Sequence, residues 1–360
     1  MERRGKDDYG KIAVSRSGRY CGRKMAAMKV NMKQISEMTG VSTATVSNAL
    51  NYKRGVNADT AARVLKAAQE LGYFDEARIS KLRFVTFKRN GSVVEDTPFF
   101  PLMLTGIEQE CRENGMELVM SSLDIREMDY EDQVRNLLND KSSAIIMLGT
   151  EMMAEDTRLL EGITNPFVVV DYWNREMSFN SVQINNEDSV AKATAYLIAR
   201  GHTRIGYLRG DFRIEPFRGR GRGYRSAMRG AGIPIREEYT LTLGTTMDSA
   251  CSDMKACLER GVGLPTAFIA DNDMIALGAM KAMTEGGIRV PEDVSLIGFD
   301  DLPFAAVAST PLTTLYVPKQ EMGKIAARRL LEVIRGDTVT TKVHVSTTFV
   351  ERDSVRTLRE

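Results

Sequence analysis

Apolar residues recur in two different patterns along this chain of 360 residues. Between residues 31 and 73 they are spaced three and four positions apart, as on one face of a short helix. From residue 82 onward, short apolar runs alternate with helical patterns, and the runs are LRFVTF, MELVMS, SAIIML, FVVVDY, RIGYLRG, AFIADND and VSLIGFD. This alternation is typical of βαβ units on parallel sheets. Because so long a stretch exceeds one sheet of ordinary width, we expect a core of two α/β lobes with a ligand cleft between them.

The first helical pattern predicts three short helices that share a small core. Asn31 and Gln34 have the spacing of a capping box and Gly40 ends the first helix, whose inward face we assign to Ile35 and Met38. The second helix has Ser42 as its N-cap and an apolar stripe of Val46, Ala49 and Leu50. The third is capped near Asn57, ends at Gly72 and turns inward Ala61, Val64, Leu65, Ala68 and Leu71.

The second helix, in the stretch VSTATVSNALN, carries small polar side chains where bulky apolar ones would be expected. Two helices joined by a tight glycine turn form a helix-turn-helix, whose second helix enters the major groove of DNA. Small hydroxyl and amide groups allow close approach to bases and phosphates. From Ser42 onward, we expect Thr43, Ala44 and Asn48 to face bases, and Thr45, Ser47 and Asn51 to face phosphates.

Charge is distributed unevenly along the chain, although the net charge is only +1. Residues 1–80 hold 15 Lys and Arg against 8 Asp and Glu, a net charge of +7, and the rest of the chain is mildly acidic. A basic N-terminal part suits a polyanionic partner such as double-stranded DNA. A solvated basic tail over residues 2–29 is the alternative.

Several classes of protein are disfavoured by what the sequence lacks. Its apolar stretches are shorter than the roughly 20 residues of a membrane span, and the charged N-terminus has no secretory signal pattern, so we expect a cytoplasmic protein. The four cysteines and two histidines have no metal-ligand spacing, and no nucleotide-binding or nucleophile motif is present. We therefore expect no metal, no cofactor and no catalytic residue.

Polar residues follow several of the predicted strands, where cleft ligands of α/β folds bind. Asp171 ends FVVVD, Asn272 and Asp273 follow AFIAD, and Asp300 and Asp301 end VSLIGFD. Arg220 lies in the glycine-rich stretch GRGRGYRSAMRG, where we expect the first turn of a helix. Carboxylate, guanidinium and amide groups together suit the vicinal hydroxyls of a carbohydrate. For Asp273 and Asp301 the alternative role is a helix N-cap, and His202 fits a structural turn better than a catalytic base.

The sequence resembles the lactose-repressor (LacI/GalR) family of bacterial transcription regulators. GVSTATVSNALN followed by AARVLKAAQELGY is similar to the family's DNA-binding head, and LIARGHTRIGYLRG, RGRGYRSAMRGAGI, AFIADNDMIALGAMKAM and STPLTTLYVPKQEMG follow in the family's order. The resemblance implies an N-terminal all-α helix-turn-helix head on an α/β two-lobed periplasmic-binding-protein-like core. It also implies a homodimeric repressor that binds an inverted-repeat operator and responds to a small-molecule effector, for which we expect a sugar.

The resemblance also implies positions for the effector site. Asp171, Arg220, Asn272 and Asp300 match cleft residues that hydrogen-bond the effector, and Phe99 and Phe100 match its aromatic wall. Packing of the following helix onto the sheet is the alternative role for the two phenylalanines. Trp173, the chain's single tryptophan, lies two residues after Asp171, where its ring could stack on a sugar face.

The resemblance breaks down between head and core. The stretch FDEARISKLRFVTF reaches the first strand within about ten residues, lacks the family's Pro-Asn start and has Ile79-Ser80-Lys81 in place of the leucine wedge. We therefore predict a disordered extension over 1–27, a helix-turn-helix domain over 28–73, a shortened hinge over 74–81 and a ligand-binding and dimerisation core over 82–360.

Two other classes of protein share the expected core. A sugar receptor of the periplasmic-binding fold would have no use for residues 31–73, and an enzyme on an α/β scaffold would need a nucleophile or metal motif. Both would leave DNA unshifted in a gel. The basic three-helix head therefore favours the DNA-binding regulator.

Overall fold

The computed structural model of the chain describes residues 31–50, 56–71, 79–95, 97–174 and 178–358. Contacts divide the chain into two compact units, with the boundary between Glu76 and Ala77. The predicted extension over 1–27, the predicted phosphate-facing residue Asn51 and hinge residues 74–78 lie outside the described residues. Each unit is built differently, as the two apolar patterns predict.

The smaller unit consists of three helices: α1 (Met32–Thr39), α2 (Thr43–Leu50) and α3 (Ala58–Glu70). Each helix contributes at least one completely buried residue to their common core: Ile35 from α1, Val46 from α2, and Val64 and Ala68 from α3. The predicted caps are also present. The Asn31 side chain accepts hydrogen bonds from the first turn of α1, and Asn57 Oδ1 accepts from the backbone N–H groups of Asp59 and Thr60.

The prediction that Met38 belongs to the inward face of α1 is wrong. Its side chain is 51% exposed, and the next residue, Thr39, is buried instead. Thr39 Oγ1 donates a 2.6 Å hydrogen bond to the Ile35 carbonyl oxygen. Since this bond satisfies the hydroxyl, the small side chain can be buried at position i+4, directly in line with Ile35 on the helix face.

The first lobe of the larger unit is a parallel sheet with strand order β11-β5-β4-β3-β1-β2 among the described residues. Its strands are β1 (Lys81–Lys88), β2 (Glu117–Asp124), β3 (Ser143–Leu148), β4 (Phe167–Val170), β5 (Ser181–Ile184) and β11 (Lys342–Val345). In register, Lys81 of β1 lies between Glu117 and Ser143. Every residue of β3 is buried, as expected for a central strand with helices on both faces.

The second lobe is a parallel sheet with strand order β7-β6-β8-β9. Its strands are β6 (Ile205–Gly210), β7 (Thr240–Leu243), β8 (Ala267–Ala270) and β9 (Ser295–Ile297). Two further strands, β10 (Thr314–Tyr316) and β12 (Thr348–Val350), pair antiparallel beside it. The chain crosses between the lobes three times: after β5, between β10 and Lys319, and after β11.

Helices alternate with the strands of both lobes. They are α4 (Phe99–Glu113), α5 (Tyr130–Asn139), α6 (Thr157–Glu161), α7 (Asn186–Ala199), α8 (Glu215–Gly230), α9 (Met247–Glu259), α10 (Asp273–Glu285), α11 (Pro303–Val307) and α12 (Lys319–Ile334). α4 packs against α12 in the first lobe, and α7 against α8 and α9 against α10 in the second. Within the described residues, no helix is long and apolar enough to cross a membrane.

The seven predicted apolar runs all contain strands, so the two-lobed α/β prediction is confirmed. The first strand begins at Lys81, one residue before the predicted core. The strands that the apolar pattern missed, β5, β7, β10, β11 and β12, are three or four residues long. β11 reads KVHV and alternates between exposed and half-buried residues, so no apolar run marks this edge strand.

Candidate functional site

The turn between α1 and α2 is set by one glycine and one serine. Gly40 has a φ of +70°, a left-handed conformation that favours glycine, and its N–H donates to the Ser36 carbonyl oxygen. Ser42 Oγ then accepts a 3.1 Å hydrogen bond from the backbone N–H of Thr45. Ser42 is therefore the predicted N-cap, and α2 begins directly after a tight turn.

Helix α2 exposes the polar face that its composition predicts. Ser42, Thr43 and Ala44 are exposed, and Thr45, Ser47 and Asn48 are half-buried. The Thr45 hydroxyl lies 2.9 Å from Ser42 Oγ and so belongs to the cap. The division of these residues between bases and phosphates stays a prediction.

In the core, six of the predicted effector-site residues line a single cavity of about 30 Å³ between the lobes. They are Phe99, Phe100, Asp171, Arg220, Asn272 and Asp300. Val93, Thr97, Thr150, Ile214, Pro216 and Phe217 complete the lining. We call this space the first cavity. Its polar groups come from the carboxyl ends of β3, β4, β8 and β9 and from α8.

Asp171 is the most unusual of these side chains. It follows β4 with a φ of +59° and is 5% exposed. Its Oδ2 accepts a 2.8 Å hydrogen bond from Thr150 Oγ1, whereas its buried Oδ1 has no partner among the described residues. Burial raises the pKa of this carboxyl to about 7, against the lowering effect of the Thr150 hydrogen bond and the charge of Arg220.

Arg220 lies deeper in its helix than predicted. α8 begins at Glu215, where a proline in the first turn favours helix initiation, so Arg220 is in the second turn rather than the first. It is 3% exposed, and its guanidinium donates to Asn186 Oδ1 at 2.8 Å, to the Asp271 carbonyl oxygen and to Asp300 Oδ1 at 3.4 Å. The guanidinium carbon lies 3.6 Å from the centre of the Phe299 ring.

Asp300 lines the same cavity as Asp171 and has a φ of +104°. Burial raises its pKa, and the charges of Arg220 and Lys319 act in the opposite direction. Lys319 Nζ donates to the Asp300 carbonyl oxygen, and burial lowers the pKa of this lysine. The left-handed backbone at two buried aspartates is the kind of strain that folded proteins retain at functional positions.

The alternative roles for Asp273 and Asp301 as helix N-caps are wrong. Asn272 caps α10, because its Oδ1 accepts from the Ile275 N–H at 3.0 Å. Asp273 is the first residue of that helix and is fully buried, where it accepts hydrogen bonds from the Leu302 N–H and the Thr314 hydroxyl. Asp301 pairs instead with Arg352 at 2.7 Å.

Phe99 and Phe100 begin α4, where they pack in the core and also border the first cavity. Phe99 is 5% exposed within the core, which is the packing role, and both rings line the first cavity. Their ring centres are 5.1 Å apart in an edge-on arrangement. The two rings therefore form an apolar wall that is anchored in the core.

Trp173 does not line the first cavity. It lines a second cavity of about 120 Å³, together with Asp171, Gln183, Asn186, Arg222, His344 and neighbouring residues. Its Nε1 is buried and has no hydrogen-bond partner among the described residues. The structure thus separates the predicted effector site into two spaces that share Asp171 and Pro216.

Sequence reasoning missed Thr150 and Glu151, which follow β3. Thr150 binds Asp171 and lines the first cavity, and the strand-end rule that selected Asp171 would have selected it too. Glu151 is completely buried, and its carboxylate accepts from the backbone N–H groups of residues 89, 90, 91, 93 and 94. It thereby holds the loop that places Val93 in the cavity wall. No local sequence pattern predicts so distant a contact.

The described residues include no group of three or more side chains arranged to hold a metal ion. His202 is completely buried in the turn before β6, with Nδ1 at 3.0 Å from Thr266 Oγ1 and Nε2 at 3.0 Å from the Arg356 carbonyl oxygen. Its role is structural, as predicted.

The first cavity combines acceptors on Asp171 and Asp300 with the donors of Arg220, beside an aromatic wall. Acceptors and donors of these kinds can hydrogen-bond the hydroxyl groups of a ligand.

Two family models match the chain. Residues 31–75 match the model described as bacterial regulatory proteins, lacI family. Residues 194–355 match the model of a periplasmic binding protein-like domain. The first match covers the three-helix unit, and the second covers the second lobe and the return of the chain to the first.

Curated relatives match over most of their length. The HTH-type transcriptional repressor PurR of Vibrio parahaemolyticus serotype O3:K6 is 33% identical over 309 residues, which cover 84% of this chain and 92% of that protein. The ribose operon repressor of Escherichia coli (strain K12) is 30% identical over 311 residues, covering 86% of this chain and 94% of that protein. Both relatives are transcriptional repressors by name.

Solved structures share the fold. A complex of the transcriptional regulator CelR with cellobiose superposes with a TM-score of 0.68 at 26% identity, over 90% of this chain and 99% of that one. A lac repressor dimer bound to operator and an anti-inducer has a TM-score of 0.68 at 24% identity, over 91% and 99% of the two chains. At that identity the second likeness concerns the fold alone.

Proposed function

This chain belongs to the LacI family of bacterial regulatory proteins, and on that premise we propose that it is a DNA-binding transcriptional repressor controlled by a small carbohydrate effector. The observation that carries the proposal is the presence, in one chain, of helix α2 with its polar face and of a cavity lined by two carboxylates and a guanidinium. The first suits duplex DNA, and the second suits a ligand with several hydroxyl groups.

The repressor acts as a homodimer on an inverted repeat. One small head buries a limited area on DNA, whereas two heads related by a twofold axis bind a palindromic site together. Thr43, Ala44 and Asn48 read bases, and Thr45, Ser47 and Asn51 contact phosphates from the helix that Ser42 caps. A regulator of this kind acts in the cytoplasm, where the bacterial chromosome lies, and it needs neither a cofactor nor a catalytic residue.

The effector binds between the lobes, where Asp171, Arg220, Asn272 and Asp300 converge. Each carboxylate accepts a hydrogen bond from a sugar hydroxyl, and Arg220 donates to a sugar oxygen. Because the contacts come from both lobes, a ligand stabilises one arrangement of the lobes over another. A coupling free energy of about 1–3 kcal/mol between the effector and operator sites is then enough to regulate transcription.

A gel-shift assay with DNA from upstream of the protein's own gene tests the DNA-binding part of the proposal. We expect a shifted band that survives bulk competitor DNA, and weaker sequence preference when Thr43 or Asn48 is changed to Ala. An unshifted band at every fragment tested, with and without sugars, contradicts the proposal and favours a receptor.

The effector part is tested with Arg220→Ala. This variant removes the guanidinium between Asp271 and Asp300, so we expect operator binding that no longer responds to sugar, with the band shift itself retained. Arg220→Lys keeps the charge but loses the planar donor group and serves as the matched variant. A normal sugar response in both variants removes Arg220 from the site.

A further inference from the structure

The two cavities are arranged as neighbours along one edge of the first-lobe sheet. Asp171 and Pro216 belong to the lining of both. From Asp171 at the end of β4, the first cavity extends towards Thr150 after β3. The second extends the other way, towards Gln183 on β5 and His344 on β11. A ligand longer than one sugar ring would therefore pass directly over Asp171.

The second cavity has the side chains of a built binding site. Arg222 is held at 3.0 Å by both Glu187 and Glu215, and Gln183 Nε2 lies 3.0 Å from His344 Nε2. These pairs fix polar groups in the lining. One wall is the half-buried indole of Trp173.

Two buried polar atoms in this lining have no partner among the described residues. They are Oδ1 of Asp171, a residue 95% removed from solvent, and Nε1 of Trp173. Buried polar atoms in folded proteins are nearly always hydrogen-bonded to protein, ordered water or a ligand, so both atoms can form hydrogen bonds with a ligand in this cavity. Oδ1 accepts and Nε1 donates, so hydroxyl groups of a second sugar ring can donate to Asp171 and accept from Trp173.

We propose that the effector is a disaccharide, with one ring among Asp171, Arg220, Asn272 and Asp300 and the second ring against Trp173. The inference rests on the proposed carbohydrate-responsive function and specifies its ligand. A monosaccharide in the first cavity leaves the second cavity unfilled and Nε1 of Trp173 without an acceptor, although Lys342 Nζ lies 5.2 Å from the centre of the Trp173 ring. A disaccharide bridges both cavities, and Asp171 lies at the junction of its two rings.

Calorimetric titration of the full-length protein with disaccharides and with their component monosaccharides tests the inference. The probes are cellobiose, maltose and lactose, compared with glucose and galactose. We expect at least one disaccharide to bind about tenfold or more tightly than its monosaccharides, from aromatic stacking and the added hydrogen bonds. Because Trp173 is the chain's single tryptophan, that disaccharide also changes the intrinsic tryptophan fluorescence, whereas a monosaccharide leaves it nearly unchanged.

Variants at Trp173 distinguish stacking from a general effect on the core. Trp173→Ala is expected to weaken disaccharide binding about tenfold, so that disaccharide and monosaccharide affinities become similar. Trp173→Phe keeps an aromatic face without Nε1 and should recover most of the difference. Thermal unfolding of both variants shows whether the core remains folded, and if Trp173→Ala does not fold, the fluorescence comparison in the native protein decides alone.

The outcomes separate this inference from the proposed function. If a monosaccharide binds as tightly as every disaccharide and changes the affinity for the operator, the two-ring inference is overturned and the repressor function stands. If operator binding persists but no sugar in either set binds, both the inference and the carbohydrate effector are overturned. Tighter disaccharide binding that Trp173→Ala leaves unchanged also overturns the role of the second cavity.

Discussion

At the scale of single residues, Asp171 shows that burying a carboxylate at the candidate site costs free energy. A carboxylate this deeply buried is expensive to ionise, which is why its pKa rises to about 7. Asp124 on β2 shows the opposite case, because hydrogen bonding to the Arg126 guanidinium lowers its pKa to about 2. Two aspartates in one lobe thus respond to pH in opposite ways.

This contrast predicts how stability depends on pH. Between about pH 4 and pH 7 the folded protein keeps a proton on Asp171 that the unfolded chain has released, so ionisation lowers the free energy of unfolding as the pH rises. Asp171→Asn removes this pH-dependent decrease in the free energy of unfolding. We expect the variant to become more stable relative to the native protein as the pH rises through this window, as measured by urea denaturation at a series of pH values.

Asp124→Asn is the matched control. Asp124 is ionised in the folded protein throughout that window, and its stabilising contribution is lost only as the pH falls from about 4 towards 2. The difference between this variant and the native protein should stay nearly constant between about pH 5 and about pH 7. A constant difference for Asp171→Asn as well would show that Asp171 titrates normally.

At the scale of secondary-structure elements, the glycines of α8 are explained by close packing. A Cβ added at Gly223 would lie 2.1 Å from the Glu187 carbonyl oxygen of α7, which is impossible without moving a helix. At Gly230, the last residue of the same helix, an added Cβ meets nothing within 4 Å. The glycine-rich stretch is therefore part of a helix contact and forms no phosphate-binding loop.

Substitution of these two glycines tests the helix contact. Gly223→Ala should lower the free energy of unfolding by about 2 kcal/mol, since backbone must shift to make room. Gly230→Ala should leave it unchanged or raise it slightly, because alanine is the better helix former. Urea denaturation measures both. Equal effects at the two positions would contradict the close approach of α7 and α8.

The cap of α2 gives a second prediction for a single element. Ser42→Ala removes the acceptor of the Thr45 N–H and should destabilise the head by about 1 kcal/mol. Hydrogen exchange of residues 31–50 in the full-length protein should then be about fivefold faster. Thr43→Ala, at the next and exposed position, is the control, and similar exchange in both variants would mean that the cap contributes nothing.

At the scale of the whole molecule, charge is divided between a basic N-terminal part and an acidic remainder. The net charge of +7 over residues 1–80 predicts that operator binding releases counterions from DNA. We expect the affinity to fall by at least about a hundredfold between 50 and 200 mM salt. A filter-binding titration measures the slope, and an affinity independent of salt would contradict phosphate contact by the head.

The sequence by itself determined the order of secondary-structure elements, the three-helix head and the polar residues at the ends of the strands. These features follow from local rules, namely the spacing of apolar residues, caps such as Asn31 and Ser42, and the strand-end position of Asp171 and Asp300. Local rules failed where the position of a side chain does not depend on its neighbours in sequence. Met38 faces outward, and Arg220 lies one turn deeper in its helix than its glycines suggest.

Only the tertiary structure decided how the candidate site is divided. It placed Trp173 in a second cavity, assigned the cap of α10 to Asn272 rather than Asp273, and used Glu151 to hold a loop some sixty residues away in the chain. The physical reason is that burial, pKa and the pairing of polar atoms depend on which side chains approach one another from distant segments. Those approaches are set by the packing of two sheets and their helices, which residue spacing along the chain does not contain.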